Sequence, residues 1–132
     1  YSFTSYDIAK ALLEAKQRNV QVKIILDKSQ ISHKYSSSTF FSNQGFELRI
    51  DVKHAIYHNK CIIIDEKTII TGSFNFTKAA EFKNAENLLI MRNNPGLAKR
   101  YIDAWWHDWQ QALSKEDFLE RKNSFSKTGN EE

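Results

Sequence analysis

One cysteine, one proline, one methionine and four glycines in 132 residues leave this chain with little redox chemistry and few chain breakers. The lone Cys61 excludes an intramolecular disulfide, and no Cys/His group has structural zinc spacing, so a packed core has to hold the fold. So few Gly and Pro argue against a disordered or repeat-built chain. No internal repeat is visible. No run in these residues reaches the roughly 18 apolar residues of a membrane span, and no secretory signal is seen among them; Tyr1-Ser2-Phe3-Thr4 lacks an initiator Met and reads as the start of a fragment. Charge of one sign is only slightly in excess: 19 Lys and Arg against 16 Asp and Glu give +3 and a pI of about 9.0. That mild bias suits polyanionic partners without requiring them.

Aromatic and apolar bulk is abundant. Nine Phe, five Tyr and three Trp within 41% hydrophobic content are enough for one core at this length. We read residues 1–122 as a single domain and 123–132 as a flexible polar tail. Ile8, Ala11, Leu12 and Ala15 follow helical spacing behind Thr4-Ser5, with Asp7 in the first turn and Asn19 as the stop. Val20 to Leu26 is a β-branched run that ends at Asp27, and Lys28 to Ser38 is a polar loop. Thr39 to Asn43 predicts a short helix capped by Gly45, followed by an alternating strand at Phe46, Leu48 and Ile50.

From His58 to Ile64 the pattern reads as strand, with Asp65-Glu66-Lys67 as a tight turn and Thr68 to Thr71 as the antiparallel return. Thr77 to Lys83 is a short helical segment and Asn87 to Met91 another strand. Asn94-Pro95 opens a helix carrying Leu97, Tyr101, Ile102, Trp105, Trp106 and Trp109, because an N-cap amide precedes a proline whose missing N–H costs nothing there. Ser114 to Lys122 predicts one more short helix. The order of elements is α/β: a mixed β-sheet flanked by helices on both faces.

The chemistry concentrates between residues 58 and 75. On a strand, His58 and Lys60 share a face, which brings a nucleophilic imidazole and a cation onto one ligand. Imidazole can attack phosphorus while an ammonium offsets the charge growing on the non-bridging oxygens, and neither step needs a metal. Gly72 allows close backbone approach, and Ser73 and Asn75 can donate hydrogen bonds to phosphate oxygens. Asp65 at the turn is roughly 23 Å from His58 along an extended strand and is assigned a structural role. Singly, each residue is more often packing or solvated surface. Their conjunction at fixed spacing is what departs from chance.

His58-x-Lys60-x4-Asp65-x6-Gly72-Ser73-x-Asn75 resembles the HKD signature of the phospholipase D superfamily. Thr71-Gly-Ser-Phe-Asn-Phe-Thr-Lys-Ala-Ala80 is similar to its small bacterial Nuc-type endonucleases. The resemblance runs from Tyr1 through Trp109. It implies a phospholipase D/nuclease-like fold, a strand-helix-strand unit preceding Tyr1, and bacterial export or anchoring by an N-terminal segment. It implies two HKD motifs meeting across a homodimer interface, no cofactor or metal, and hydrolysis through a phosphohistidine on His58. It singles out Glu86 as the carboxylate that hydrogen-bonds the nucleophilic histidine, an orienting role familiar from hydrolase triads.

The leading expectation is a metal-independent, sequence-nonspecific endonuclease on single- and double-stranded DNA, with RNA as a further substrate. A phospholipase D releasing lipid head groups is one alternative, and a noncatalytic nucleic-acid- or membrane-binding protein another. Lys28, His33, Lys34, Lys53 and Lys60 place positive charge around the motif, which suits phosphate contacts and favours nucleic acid over phospholipid. His54 is read as a rim residue, since no third ligand joins it and His58 in a metal arrangement. Trp105, Trp106 and Trp109 are read as core before base-stacking platforms.

Overall fold

A computed structural model describes residues 1–31 and 36–128. Its elements run in the order helix α1 (Tyr6–Gln17), strand β1 (Lys23–Asp27), helix α2 (Ser37–Asn43), β2 (Glu47–Asp51), β3 (Cys61–Ile64), β4 (Thr68–Gly72), α3 (Lys78–Phe82), β5 (Leu88–Met91), α4 (Pro95–Gln111), β6 (Leu113–Ser114) and α5 (Lys115–Thr128). A single 3-10 turn, Lys28–Ile31, follows β1. His33 and Lys34 lie outside the described residues.

Local chemistry sets the boundaries. Ser5 caps α1 by accepting from the Ile8 amide at 3.3 Å, and Asn19 leaves the helix in the left-handed region at φ 66°. Gly45, at φ 72°, ends α2 in the same way. At α4 the Asn94 side chain accepts from Leu97 N at 3.1 Å, with Pro95 opening the helix. Two boundaries differ from the sequence reading. The strand expected from His58 begins only at Cys61, because residues 58–60 turn away to other partners. The last helix runs through Thr128, past the start of the expected tail at Asn123.

The strands form two three-stranded sheets. The first has the order β1-β2-β6, with β1 parallel to β2 and β6 antiparallel to it; the second, β3-β4-β5, is antiparallel throughout. Together they give the mixed α/β architecture, although the strands divide between two sheets. The N-terminal segment bridges toward the second sheet through Phe76, whose carbonyl accepts from Thr4 N and Ser5 N at 2.9 and 2.8 Å. Helix α4 packs against β2 in one sheet and β3 and β4 in the other.

The core gathers Phe3, Ala9, Ile24, Leu26, Phe41, Phe46 and Ile50. Phe41 is fully enclosed and meets Phe3, Phe40 and Phe46 edge-on at 5.1–5.5 Å. Trp109 is buried and stacked on Trp105, with the Arg49 guanidinium 4.5 Å from its ring, so it ties α4 to β2. On edge strand β5, by contrast, Leu88, Leu89 and Ile90 are all exposed.

Two buried carboxylates position the segment that carries the motif. Asp27 and Asp51 are register partners at the C-terminal ends of parallel β1 and β2. Asp27 Oδ1 accepts from the Tyr57 amide at 2.7 Å, and its Oδ2 accepts from Ser29 N at 3.0 Å. Asp51 accepts from His54 N at 3.1 Å and pairs with the His54 ring. Burial alone would raise the Asp27 pKa, but the Ser29 hydroxyl, the Tyr57 and Ser29 amides and the Lys28 charge outweigh it and hold the carboxyl below its ordinary range.

A depressed folded pKa means that the unfolded chain takes up the proton first. The stabilisation is therefore complete above the unfolded value of about 4 and is lost as pH falls through the folded one. Asp27→Asn is expected to lower stability at pH 7 by about 1.5–3 kcal/mol and to flatten the loss of stability between pH 5 and 3, measured by urea unfolding. Parallel pH profiles for the two proteins would contradict this role.

Candidate active site

The β3-β4 hairpin builds the site from its open end. Cys61 faces Thr71 in register, so Lys60 enters β3 beside the point where Gly72 and Ser73 leave β4. At the closed end Asp65 and Glu66 take φ 53° and 56°, and Lys67 N donates to Ile64 O at 3.2 Å. Asp tolerates that left-handed conformation better than most side chains, which accounts for Asp65 structurally. Asp65 is exposed there.

His58 is exposed, with its ring 4.7 Å from the Tyr1 ring. Lys60 is only 9% exposed; its Nζ donates to the His58 carbonyl at 2.7 Å and lies 5.3 Å from the Tyr1 ring centroid. The side chain thus folds back along the segment, in place of standing beside His58 on a strand face. Desolvation pulls the Lys60 pKa down, and the Glu86 carboxylate opposes it. The Thr71 hydroxyl fixes the backbone here by donating to Lys60 O at 3.2 Å.

Across the hairpin, Ser73 Oγ donates to Glu86 Oε2 at 2.5 Å and accepts from Asn87 N at 2.9 Å, while Ser73 N donates to Asn87 O at 3.0 Å. Asn84 Nδ2 donates to the other Glu86 oxygen at 3.1 Å. The bond from the Ser73 hydroxyl, then that from Asn84, and lastly the nearby Lys60 cation hold Glu86 below the ordinary carboxylate range. Glu86 was expected to hydrogen-bond His58; among the described residues its hydrogen bonds run to Ser73 and Asn84. Asn75 sits between Ser73 and Phe76, and among the described residues its Oδ1 is enclosed without a partner.

Two sets of contacts thus meet at this end of the hairpin, Lys60 on the His58 carbonyl and Ser73 on Glu86; the charges of Lys60 and Glu86 act on each other across the gap, and Asn75 is two residues from Ser73. Sequence reasoning missed Asp27, Asp51 and Tyr57 as the supports of the segment. The signal was present: each parallel strand is a hydrophobic run closed by an aspartate. Tyr57 is buried, donates its hydroxyl to Asp108 at 3.0 Å, and its phenol pKa is driven upward by burial, with Asp108 and Asp51 adding to the shift. Cys61 is half-buried, and desolvation raises its thiol to about 11, so it is a poor nucleophile.

A family model described as the cardiolipin synthase, PLD-like domain matches residues 1–109. The chain belongs to this phospholipase D-like family. A protein named phospholipase D from Rickettsia bellii is 44% identical over 105 residues, covering 80% of this chain and 52% of that protein. Mouse mitochondrial cardiolipin hydrolase is 29% identical over 111 residues, covering 84% of this chain and 50% of its own length. The chain thus spans about half the length of the curated relatives it matches. Among solved structures, the phospholipase D family member Nuc from Salmonella typhimurium superposes with a TM-score of 0.80 at 46% identity, covering 85% of this chain and 75% of Nuc. NucT from Helicobacter pylori, at 24% identity and a TM-score of 0.75, shares the fold.

Gly72 is the steric condition for this PLD-like site. Its φ is 154°, and a Cβ there would fall 2.0 Å from Asn87 O and 2.8 Å from Asn87 C, both backbone atoms. Gly72→Ala is expected to cost about 1–3 kcal/mol in urea unfolding. It should also reduce phosphodiester hydrolysis more than tenfold by moving β5, and Glu86 with it, away from Ser73. Wild-type activity in a folded Gly72→Ala protein would show that this contact is dispensable.

Proposed function

We propose that this chain is one half of a phosphodiesterase site and acts as a metal-independent, sequence-nonspecific endonuclease on single- and double-stranded DNA, with RNA as a related substrate. The observation that carries the reading is the gathering at the open end of one hairpin of Lys60, bonded to the His58 carbonyl, and Ser73, bonded to Glu86, with the Lys60 and Glu86 charges felt by each other. A cation and fixed donors at that point can stabilise charge developing on phosphoryl oxygens, as preorganised electrostatic sites do.

In the proposed reaction an imidazole nitrogen of His58 attacks phosphorus. A P–N bond forms as the P–O bond to the leaving group breaks, and the leaving oxygen takes a proton from the imidazolium of the partner's His58. That imidazole then removes a proton from water, whose oxygen attacks phosphorus and breaks the P–N bond. One water is consumed, and the products are a phosphate monoester and a free hydroxyl. Glu86 serves by holding the Ser73 hydroxyl and favouring the charged form of Lys60. These residues hold one motif, and in the proposed assembly a second copy of the chain supplies the other histidine.

Phospholipid hydrolysis is the second reading, supported by relatives named phospholipase D and mitochondrial cardiolipin hydrolase. Both readings share the chemistry and differ in the substrate. Incubation with plasmid DNA in excess EDTA should give nicking, and His58→Ala should lower it by about a thousandfold or more with the far-ultraviolet circular dichroism retained. Complete loss of cleavage in EDTA would contradict the metal-independent reading, and head-group release from cardiolipin-containing liposomes faster than nicking would favour the lipid.

A further inference from the structure

Beside the HKD motif, at the C-terminal ends of β1 and β2, lies a second group of charged side chains that the proposed reaction does not use. His54 Nδ1 is 3.0 Å from Oδ1 of Asp51, whose side chain is 2% exposed, while the imidazole itself is 45% exposed. Lys28 Nζ donates to the carbonyl of the same residue at 2.9 Å. With Nδ1 committed to Asp51, Nε2 is the free ring nitrogen of His54, without a partner among the described residues. Lys28 has three N–H donors and spends one on His54 O. Lys53, next along the loop, is exposed as well.

This group is continuous with the motif. The His54 ring lies 5.8 Å from that of Tyr57, which adjoins His58, and Asp27 holds the Tyr57 amide. Four residues span at most about 14 Å, so His54 and His58 lie within a few nucleotides of each other at a rise of about 3.4 Å per nucleotide. A polynucleotide whose scissile phosphate sits at His58 therefore carries further phosphates within reach of His54. Structural packing alone would not require an exposed imidazole oriented by an enclosed carboxylate and flanked by an exposed ammonium. Open parallel sheets bind ligands outside the carboxyl ends of their strands, where this group lies.

We propose that His54 and Lys28 form a second phosphate-binding subsite, which engages a backbone phosphate next to the one His58 attacks. The inference rests on the nucleic-acid reading above. In the occupied subsite the His54 imidazolium donates from Nε2 and Lys28 from Nζ, while buried Asp51 holds the ring and balances its charge. Asp51 and the Tyr57 ring lie against the imidazole, Lys28 holds the His54 carbonyl, and Asp27 holds the Tyr57 amide.

The test is fluorescence anisotropy of a labelled oligothymidylate against the full chain in EDTA, in a His58→Ala background that blocks turnover, at several salt concentrations. Lys28→Gln and His54→Gln should each weaken binding and lower the slope of log affinity against log salt by about 0.7, the share of one phosphate contact on a single strand. Lys28→Arg should restore it. Unchanged affinity and slope would overturn the proposal, as would weaker binding with an unchanged slope in folded variants. Hydrolysis of bis(p-nitrophenyl) phosphate by the wild-type protein reads the phosphodiesterase site separately. Its absence would remove the hydrolase reading and leave the binding result to decide the subsite.

Discussion

The pairing of Asp27 with Asp51 at the ends of two parallel strands is the constraint on which the site depends. Each carboxylate is enclosed, and each accepts hydrogen bonds from backbone amides of the segment that follows β2. A buried anion left unpaired costs several kcal/mol, so these bonds fix Tyr57 and His54 strongly, and His58 with them. The segment from residues 52 to 60 has no regular secondary structure of its own. Its shape follows from Asp27 and Asp51 in the sheet beneath it, with Lys28, Thr71 and Asp108 adding bonds along its length.

The other half of the site comes from a different device. A four-residue strand, a three-residue turn and a return strand bring Lys60 and Ser73 to the same end of a hairpin, and the absent Cβ of Gly72 allows β5 to close on Ser73. Glu86 then takes bonds from the Ser73 hydroxyl and the Asn84 amide, with the Lys60 charge nearby. Its lowered pKa and the upward pull it exerts on Lys60 are two views of that arrangement. The proposed phosphate chemistry would use both halves: a nucleophile on a fixed segment and a charge cradle across from it.

Much of this was legible in the sequence because it depends on local rules. Asn19 and Gly45 stop helices by adopting positive φ, Asn94-Pro95 starts one, and Asp65-Glu66 turns the hairpin, all within a few residues of the signal. Motif spacing picked out His58, Lys60, Ser73 and Asn75 as candidates, and the structure brings His58, Lys60 and Ser73 to one end of the hairpin. The errors came from long-range partners. A strand beginning at His58 was reasonable by pattern, but Lys60 turns back to the His58 carbonyl. Glu86 was reached through resemblance, and its Ser73 and Asn84 partners depend on how closely β5 approaches β4. Asp27 looked like the end of a strand because nothing local reveals that it will receive an amide 30 residues away. The helix past Asn123 was concealed by its polar composition.

The central claim is that His58 forms a covalent bond to phosphorus during turnover. Rapid alkaline quench of the protein mixed with bis(p-nitrophenyl) phosphate, followed by peptide mapping in a mass spectrometer, measures it directly. The account predicts a nitrophenyl-phosphoryl adduct on His58 that rises and decays with turnover. An adduct on another residue, or equal turnover by a folded His58→Ala protein, would contradict it.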